Sequence, residues 1–259
     1  MATFKHHIPN FVTSLGLLSG CISIVYSTSG DLKLAGIFIL IAALFDFVDG
    51  WMARMLNNIT DFGKQLDSLA DVVSFGVAPS FIVYKLMLFS LVQSSPDSNF
   101  NIVEPGLAQT LVLSSSFLIA IFAALRLARF NTDTTQTESF RGLPTPAAAL
   151  LIAAIGFVVT DDQRDLPLEP MLLKLWFLLA LIVVVCWLMV SGIRMFSLKF
   201  KHYGIKDNAL RYLFLFLSIL LIILFRLPGM VPVVVLYILI SIVYPIFQPN
   251  LPQNHPKDT

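Results

Sequence analysis

Long apolar stretches alternate with short polar clusters along most of the chain. A helix that crosses a bilayer needs about 20 consecutive, mostly apolar residues. Eight stretches meet this requirement, and each predicts one membrane-spanning helix. The last two are separated by Leu-Pro-Gly, a sequence typical of a turn. The predicted spans are 9–27, 33–55, 72–93, 107–128, 144–160, 171–192, 208–226 and 229–247.

The composition agrees with a membrane protein. Of the 259 residues, 57% are hydrophobic and 13% are charged, whereas roughly 25% of the residues in a soluble domain are charged. The net charge of +1 gives no bias toward nucleic acid, so no such partner is expected. The sequence therefore predicts an all-α integral membrane protein with one membrane domain over 1–247 and a flexible tail over 248–259.

Two local features have simple interpretations. The start of the chain resembles a secretory signal, but its small residues are scattered and more apolar runs follow, so we interpret it as a retained first span. Cys21 and Cys186 lie in separate apolar stretches without zinc-ligand spacing. We expect both to be unpaired core residues.

Loops rich in Lys and Arg alternate with loops that are poor in them. Because these residues concentrate on the cytoplasmic side of membranes, both termini are predicted to be cytoplasmic. With no transit peptide evident, we expect a multi-pass protein of the plasma membrane. The basic residues that set this orientation are Lys5, Arg54, Lys64, Arg126, Arg129, Arg141, Arg194, Lys199, Lys201 and Lys206.

Two pairs of aspartates fall at or beside the apolar runs. Asp46 and Asp49 are three residues apart, and Asp67 and Asp71 are four apart, so each pair shares one helix face. The pairs lie on consecutive helices that we expect to be antiparallel, joined through residues 57–63. Folding that hairpin would bring four carboxylates together near the cytoplasmic boundary.

Clustered carboxylates in this setting need compensation. An acid at the bilayer centre costs about 2.5–3.5 kcal/mol on insertion scales, and the four groups repel one another. Oxygen-only ligands suit Mg²⁺, Mn²⁺ or Ca²⁺, and the lack of a nearby His or Cys gives no indication of zinc. Two such ions can clamp a phosphoryl group. The structural alternatives are solvated helix ends, as expected for Asp61, or an ion pair with Arg54.

The complete pattern resembles the signature of the CDP-alcohol phosphotransferases, which transfer a phospho-alcohol group from a CDP-activated donor to an alcohol and release CMP. Segments at 8–20, 74–80, 126–131 and 140–149 resemble the members that use CDP-diacylglycerol and serine. The signature positions are Asp46, Asp49, Gly50, Ala53, Arg54, Gly63, Asp67 and Asp71.

The resemblance implies roles for individual residues. The phosphatidyl group would pass from CDP-diacylglycerol to the hydroxyl of L-serine by direct displacement, assisted by two Mg²⁺ or Mn²⁺ ions. Asp71 would be the general base and would also share a metal. The implied metal ligands are Asp46, Asp49, Asp67 and Asp71. The residues implied to bind CDP-diacylglycerol are Asn10, Thr13, Gly50, Arg54 and Gly63.

Serine needs a cation for its carboxylate. Arg126 and Arg129 are three residues apart at the predicted cytoplasmic end of the fourth span, with Asn131 following, and we expect these three to bind serine. The alternative is that the arginines only anchor the topology. Pro144 and Pro146 either begin a helix or shape the pocket wall. The resemblance also implies a homodimer among membrane lipids.

Two other functions remain open from the sequence. A sister enzyme would use glycerol 3-phosphate or an inositol phosphate as its acceptor, and the few cations near the aspartates favour an unphosphorylated acceptor. An ion-coupled transporter would also place acids in the membrane. The clustering of the acids at one face and the lack of a visible inverted repeat argue against a transporter.

Overall fold

A computed structural model describes residues 2–56, 60–94, 106–132, 142–160, 169–193, 195–196 and 204–247. Every regular element among these residues is helical, so the all-α prediction is confirmed. The α-helices are α1 (Ala2–Ser29), α2 (Leu32–Met55), α3 (Asp61–Asp71), α4 (Ala78–Ser94), α5 (Leu107–Ser114), α6 (Leu118–Thr132), α7 (Thr145–Val159), α8 (Glu169–Leu172), α9 (Leu175–Val190), α10 (Ile205–Phe225) and α11 (Met230–Phe247).

Four helical segments of the described chain are long and apolar enough to cross a membrane, which identifies the chain as a membrane protein. They are His7–Ser29, Asp61–Gln93, Leu107–Thr132 and Asn208–Phe225. Three shorter apolar helices, Thr145–Val159, Leu175–Val190 and Leu227–Val243, accompany them. The count of eight spans stays a prediction. The predicted and observed boundaries differ most at the third span, because the helical segment there begins at Asp61 and is unbroken.

The helices α1 and α2 form a tightly packed hairpin. Gly30 turns the chain with a φ of +93°, a conformation that a residue with a side chain rarely adopts. Asp31 caps α2 by accepting a hydrogen bond from the Leu34 N–H at 2.9 Å. Farther along the pair, the buried Ser23 hydroxyl donates to the Ala35 carbonyl at 2.8 Å. These contacts fasten the turn end of the hairpin. Toward its other end, a Cβ at Gly16 would lie 3.4 Å from Phe45 Cβ, so α1 also packs closely beside Asp46.

A π-helical turn, Val72–Val77, joins α3 to α4 directly after Asp71. Such turns are rare inside helices and are frequent at functional sites. The Ser74 hydroxyl donates to the Gly16 carbonyl of α1 at 3.2 Å. The approach is close because Gly20 has no side chain: a Cβ there would lie 2.8 Å from Ser74 Cα. The first helix is therefore held against the turn beside Asp71.

The helix α7 lies at the centre of the bundle, packed against α2, α4 and α11. Its small residues, such as Ala148 and Ala153, are fully buried and allow close approach. A Cβ at Gly36 of α2 would lie 2.7 Å from the Phe157 ring, so the missing side chain lets the two helices pack closely. The C-terminal half of α7 thus packs against the start of α2.

The segment before α7 is fastened to the end of α9. Gly142, at a φ of +75°, donates its N–H to the Ile193 carbonyl at 2.9 Å. Leu143 donates to the Leu188 carbonyl at 2.9 Å. Proline at the N-cap position, Pro144, then begins the helix. The helix-start role of the prolines is therefore confirmed, and both prolines also line the cavity described below, so the two sequence interpretations hold together.

Both cysteines are free, as predicted; Cys186 is buried in the core, but Cys21 is exposed on α1, so its assignment to the core was wrong. Asp61 is exposed in the first turn of α3, as a solvated helix end should be. The predicted tail at 248–259 lies outside the described residues, as do Arg141, Arg194, Lys199, Lys201 and the side chains of Lys5 and Lys206.

Candidate active site

Five helix ends meet around one cavity of about 610 Å³. The N-terminal half of α1, the whole length of α3, the start of α7 and the C-terminal turns of α2 and α6 contribute its wall. Its lining residues are Pro9, Asn10, Thr13, Asp46, Phe47, Asp49, Gly50, Ala53, Arg54, Thr60, Gly63, Lys64, Asp67, Asp71, Arg126, Leu127, Pro144, Thr145 and Pro146.

All four aspartates of the predicted cluster line this cavity, as the hairpin model required. Asp46, Asp49 and Asp67 each offer a carboxylate oxygen, and these oxygens lie within 4.8 Å of one another. Asp49 is only 5% exposed, and its Oδ2 has no hydrogen-bond partner. A close set of oxygen ligands with one buried, unsatisfied oxygen fits a hard divalent cation.

Asp71 stands apart from the other three aspartates. It ends α3, immediately before the π-helical turn, and is not a member of the group within 4.8 Å. The guanidinium of Arg126 lies within electrostatic reach of its carboxylate. The site therefore contains a tight three-carboxylate group and a fourth carboxylate beside a buried cation.

The residues predicted to bind the donor all lie on the cavity wall. A Cβ at Gly63 would lie 3.1 Å from Asn10 Oδ1, so the missing side chain brings α3 against α1. Thr60 caps α3 here by accepting the Gly63 N–H at 3.0 Å. The nearest neighbour of a Cβ at Gly50 would be the guanidinium of Arg54, 4.0 Å away. Of these two glycines, Gly50 leaves backbone open to a ligand, whereas the space at Gly63 is filled by Asn10 and Thr60.

Of the three residues predicted to bind serine, only Arg126 lines the cavity. Arg126 is 9% exposed, whereas Arg129 is exposed and is absent from the cavity wall. Three residues advance a helix by about 300°, so the two side chains diverge by about 60°. Asn131 instead donates to the Ser68 hydroxyl at 2.8 Å and ties α6 to α3. The predicted trio is thus separated by the fold.

Thr145 is a site residue that the sequence analysis did not single out, although it named the prolines on either side. It is fully buried, and its hydroxyl has no hydrogen-bond partner. In the described part of the chain, five buried side-chain polar atoms lack a partner, and three of them line this cavity: Asp49 Oδ2, Arg126 Nε and Thr145 Oγ1. Buried polar groups are normally satisfied, so this concentration indicates a ligand site.

Comparison with known proteins agrees with this geometry. The chain is 36% identical over 209 residues to a Helicobacter pylori protein named CDP-diacylglycerol–serine O-phosphatidyltransferase, covering 80% of this chain and 79% of the relative. It is 37% identical over 161 residues to an archaetidylserine synthase of Methanothermobacter thermautotrophicus, and the match covers 61% of this chain and 60% of the relative. A Bacillus subtilis protein, also named CDP-diacylglycerol–serine O-phosphatidyltransferase, is 32% identical over 152 residues, which cover 59% of this chain and 76% of the relative.

The family described as CDP-alcohol phosphatidyltransferase matches residues 6–187, which include all of the carboxylates and helix ends that form the cavity up to Thr145. The match covers more than half of the chain. The chain therefore belongs to the CDP-alcohol phosphatidyltransferase family.

Proposed function

We propose that the protein transfers the phosphatidyl group of CDP-diacylglycerol to the hydroxyl of L-serine, producing phosphatidylserine and CMP. The observation that carries this proposal is the single cavity that holds both a carboxylate cluster and a buried, unsatisfied arginine and threonine. The names of the relatives from Helicobacter pylori and Bacillus subtilis support the same reaction.

The donor would occupy the part of the cavity formed by α1, α2 and the start of α3. Asp46, Asp49 and Asp67 would hold divalent cations, Mg²⁺ or Mn²⁺, and Asp71 would share one of them. Bound there, the cations would neutralise the diphosphate of the donor and the CMP that leaves. Arg54 would pair with a diphosphate oxygen. Gly50 would give the nucleotide access to the backbone, and Gly63 would let α3 approach Asn10, beside Thr13.

The acceptor would lie beside Arg126 and Thr145. The Arg126 Nε–H and the Thr145 hydroxyl are both free to donate to a carboxylate. Of the three basic residues on the described wall, Arg54, Lys64 and Arg126, only Arg126 is buried. One buried guanidinium matches the single carboxylate of serine better than the double charge of a phosphorylated alcohol. This balance favours serine over glycerol 3-phosphate or an inositol phosphate.

Asp71 is suited to act as the general base. Its carboxylate lines the same cavity as Arg126 and is within electrostatic reach of it, so a serine held by Arg126 would bring its hydroxyl near this carboxylate. Asp71 would take the hydroxyl proton while the serine oxygen attacks the phosphorus that carries diacylglycerol. The bond from that phosphorus to the CMP oxygen breaks, and CMP leaves with the electron pair. The displacement is direct, with no covalent bond to the protein.

The arrangement also supports the predicted orientation. The cavity, the start of α1 and the basic residues Arg54, Lys64 and Arg129 all lie at the same end of the bundle, and basic residues concentrate on the cytoplasmic side. We infer that the site opens to the cytoplasm, where serine is available, and that both termini are cytoplasmic in the plasma membrane. We also propose that the protein forms a homodimer.

The reaction itself is tested by an acceptor screen. Purified protein with CDP-diacylglycerol and Mg²⁺ or Mn²⁺ should release CMP on addition of L-serine, and phosphatidylserine should form in equal amount. Glycerol 3-phosphate and inositol phosphate should give little release. Preferential turnover of a phosphorylated alcohol would contradict the choice of acceptor, and a protein that releases no CMP with any alcohol would contradict the reaction class.

The role of Asp71 is tested by Asp71→Asn. The amide keeps the shape of the carboxyl group but cannot accept the proton, so kcat should fall by about 100-fold or more. CDP-diacylglycerol binding, measured by equilibrium binding, should be retained better than turnover. Asp61→Asn, an exposed carboxyl in the first turn of the same helix, is the matched control and should behave as the wild type. Near-normal turnover of Asp71→Asn would place the base elsewhere.

The acceptor site is tested by comparing Arg126→Ala with Arg129→Ala. Loss of the buried guanidinium should raise the KM for serine at least about tenfold, equivalent to about 1.4 kcal/mol, with a smaller change in the KM for CDP-diacylglycerol. Arg129 is outside the cavity, so its alanine variant should change the serine KM much less. The reverse ranking would show that the sequence-based trio, and not the cavity, identifies the serine site.

A further inference from the structure

The helices α3 and α6 line the same cavity, with Asp71 on the first and Arg126 on the second. On one side of these two residues, α6 packs against the π-helical turn that follows α3. A Cβ at Gly76 in this turn would lie 3.1 Å from Ala123 Cβ and 3.3 Å from Ala120 Cα, so the missing side chain lets α6 pack directly on the turn. This close contact is the first connection between α6 and the helical segment that carries Asp71.

The second connection is a hydrogen bond between the side chains of Asn131 on α6 and Ser68 on α3. The Asn131 Nδ2–H donates to the Ser68 hydroxyl at 2.8 Å, and both side chains are half-buried. The Ser68 hydroxyl donates its own proton to the Lys64 carbonyl at 3.0 Å, so it can only accept from Asn131. The bond therefore requires an N–H on α6, which an amide supplies and a carboxylate of the same size does not.

The proposed base and the buried guanidinium lie between these two connections. The connections join the ends of the stretches 68–76 and 123–131, which run in opposite directions and have equal length, about 12 Å as helix. Asp71 lies inside the first stretch and Arg126 inside the second. With both connections in place, the two side chains are held between two fixed points. Without the second connection, the end of α6 could pivot about the first.

We propose that Asn131 is a positioning residue that acts through Ser68, because their hydrogen bond fixes the spacing of α3 and α6. That spacing sets the distance between Asp71 and a serine held by Arg126. The proposal rests on the function proposed above. It replaces the direct serine contact that the sequence predicted for Asn131, whose amide is directed to α3 and is absent from the cavity wall. Loss of the bond would misalign the serine hydroxyl with its base and would not remove a binding group.

The test begins with Asn131→Ala and Asn131→Asp, which both remove the donated N–H. The kcat should fall by about tenfold in each variant, since a misplacement of about 1 Å at a reacting centre can cost up to about 100-fold. The KM for serine and the KM for CDP-diacylglycerol should stay within about threefold of the wild type. A residue that bound serine directly would instead raise the serine KM and leave kcat unchanged.

Ser68→Ala removes the acceptor of the same bond and should lower kcat by the same factor, although Ser68 is absent from the cavity wall. Ser68→Thr keeps the hydroxyl and should hold kcat within about twofold of the wild type. Thr132→Ala is the matched control. Thr132 follows Asn131 on α6, but its hydroxyl donates to the Ala128 carbonyl of its own helix at 3.1 Å, so its loss should leave kcat unchanged.

A double-mutant cycle decides whether the two residues act as one unit. Asn131→Ala combined with Ser68→Ala should lower kcat no further than either single change. Additive losses, a wild-type kcat in Ser68→Ala, or a raised serine KM with unchanged kcat in Asn131→Ala would overturn the proposal. If the protein uses another alcohol, the proposed acceptor is wrong, and the same cycle on the kcat for that alcohol still decides the role of Asn131.

A distance measurement tests the connection independently of turnover. Nitroxide labels at Gln65→Cys on α3 and Arg129→Cys on α6, both exposed positions, report the spacing of the two helices in a Cys21→Ser background. The distribution of label distances should be broader in Asn131→Ala than in the parent protein, and unchanged in Thr132→Ala. An unchanged distribution in Asn131→Ala would overturn the proposal even in a protein that turns over no alcohol.

Discussion

Mutual repulsion among four clustered carboxylates, one buried and three half-buried, is the constraint on which the rest of this structure depends. Asp46, Asp49 and Asp67 bring oxygens within 4.8 Å of one another, with Asp71 lining the same cavity. In a low-dielectric setting such a cluster opposes folding unless cations compensate it. The surrounding packing nevertheless holds the acids together. The α1–α2 hairpin fixes Asp46 and Asp49, and the π-helical turn packed against α1 fixes Asp67 and Asp71.

The two halves of the chain contribute differently to the site. The first three helices supply the carboxylates and the glycines, all within a local stretch of sequence. The central helix α7 supplies Thr145 at its buried start, and α6 supplies Arg126. The segment before α7 is bonded to the end of α9, and α11 packs on α7. The C-terminal helices therefore stabilise the acceptor side, while the donor side depends on the N-terminal hairpin.

The aspartate cluster could be predicted from sequence because its information is local. Spacings of three and four residues determine shared helix faces, and a short loop determines that the two faces meet. The proposed donor residues Gly50 and Gly63 belong to the family signature, which is also local, and Asn10 was found through the separate resemblance of the first span. The helical class followed from the apolar stretches, although the number of helices that span the bilayer did not.

The acceptor side could not be predicted in the same way. Whether Arg126 or Arg129 enters the cavity depends on the rotation of α6 against its neighbours, which no spacing within α6 determines. In the sequence, Thr145 is only one residue at the start of a predicted helix. Its hydroxyl lacks a hydrogen-bond partner because tertiary packing buries it. Packing between distant helices, and not local pattern, selects these residues.

The central claim is that the carboxylate cluster binds divalent cations that contact the donor's diphosphate. The most direct measurement is electron–nuclear double resonance on the purified protein loaded with Mn²⁺. Addition of CDP-diacylglycerol should produce a hyperfine coupling between Mn²⁺ and phosphorus nuclei, and EDTA or Asp46→Asn should abolish it while Asp61→Asn leaves it intact. Bound CDP-diacylglycerol without any Mn²⁺–phosphorus coupling, or a coupling that persists in Asp46→Asn, would contradict the account.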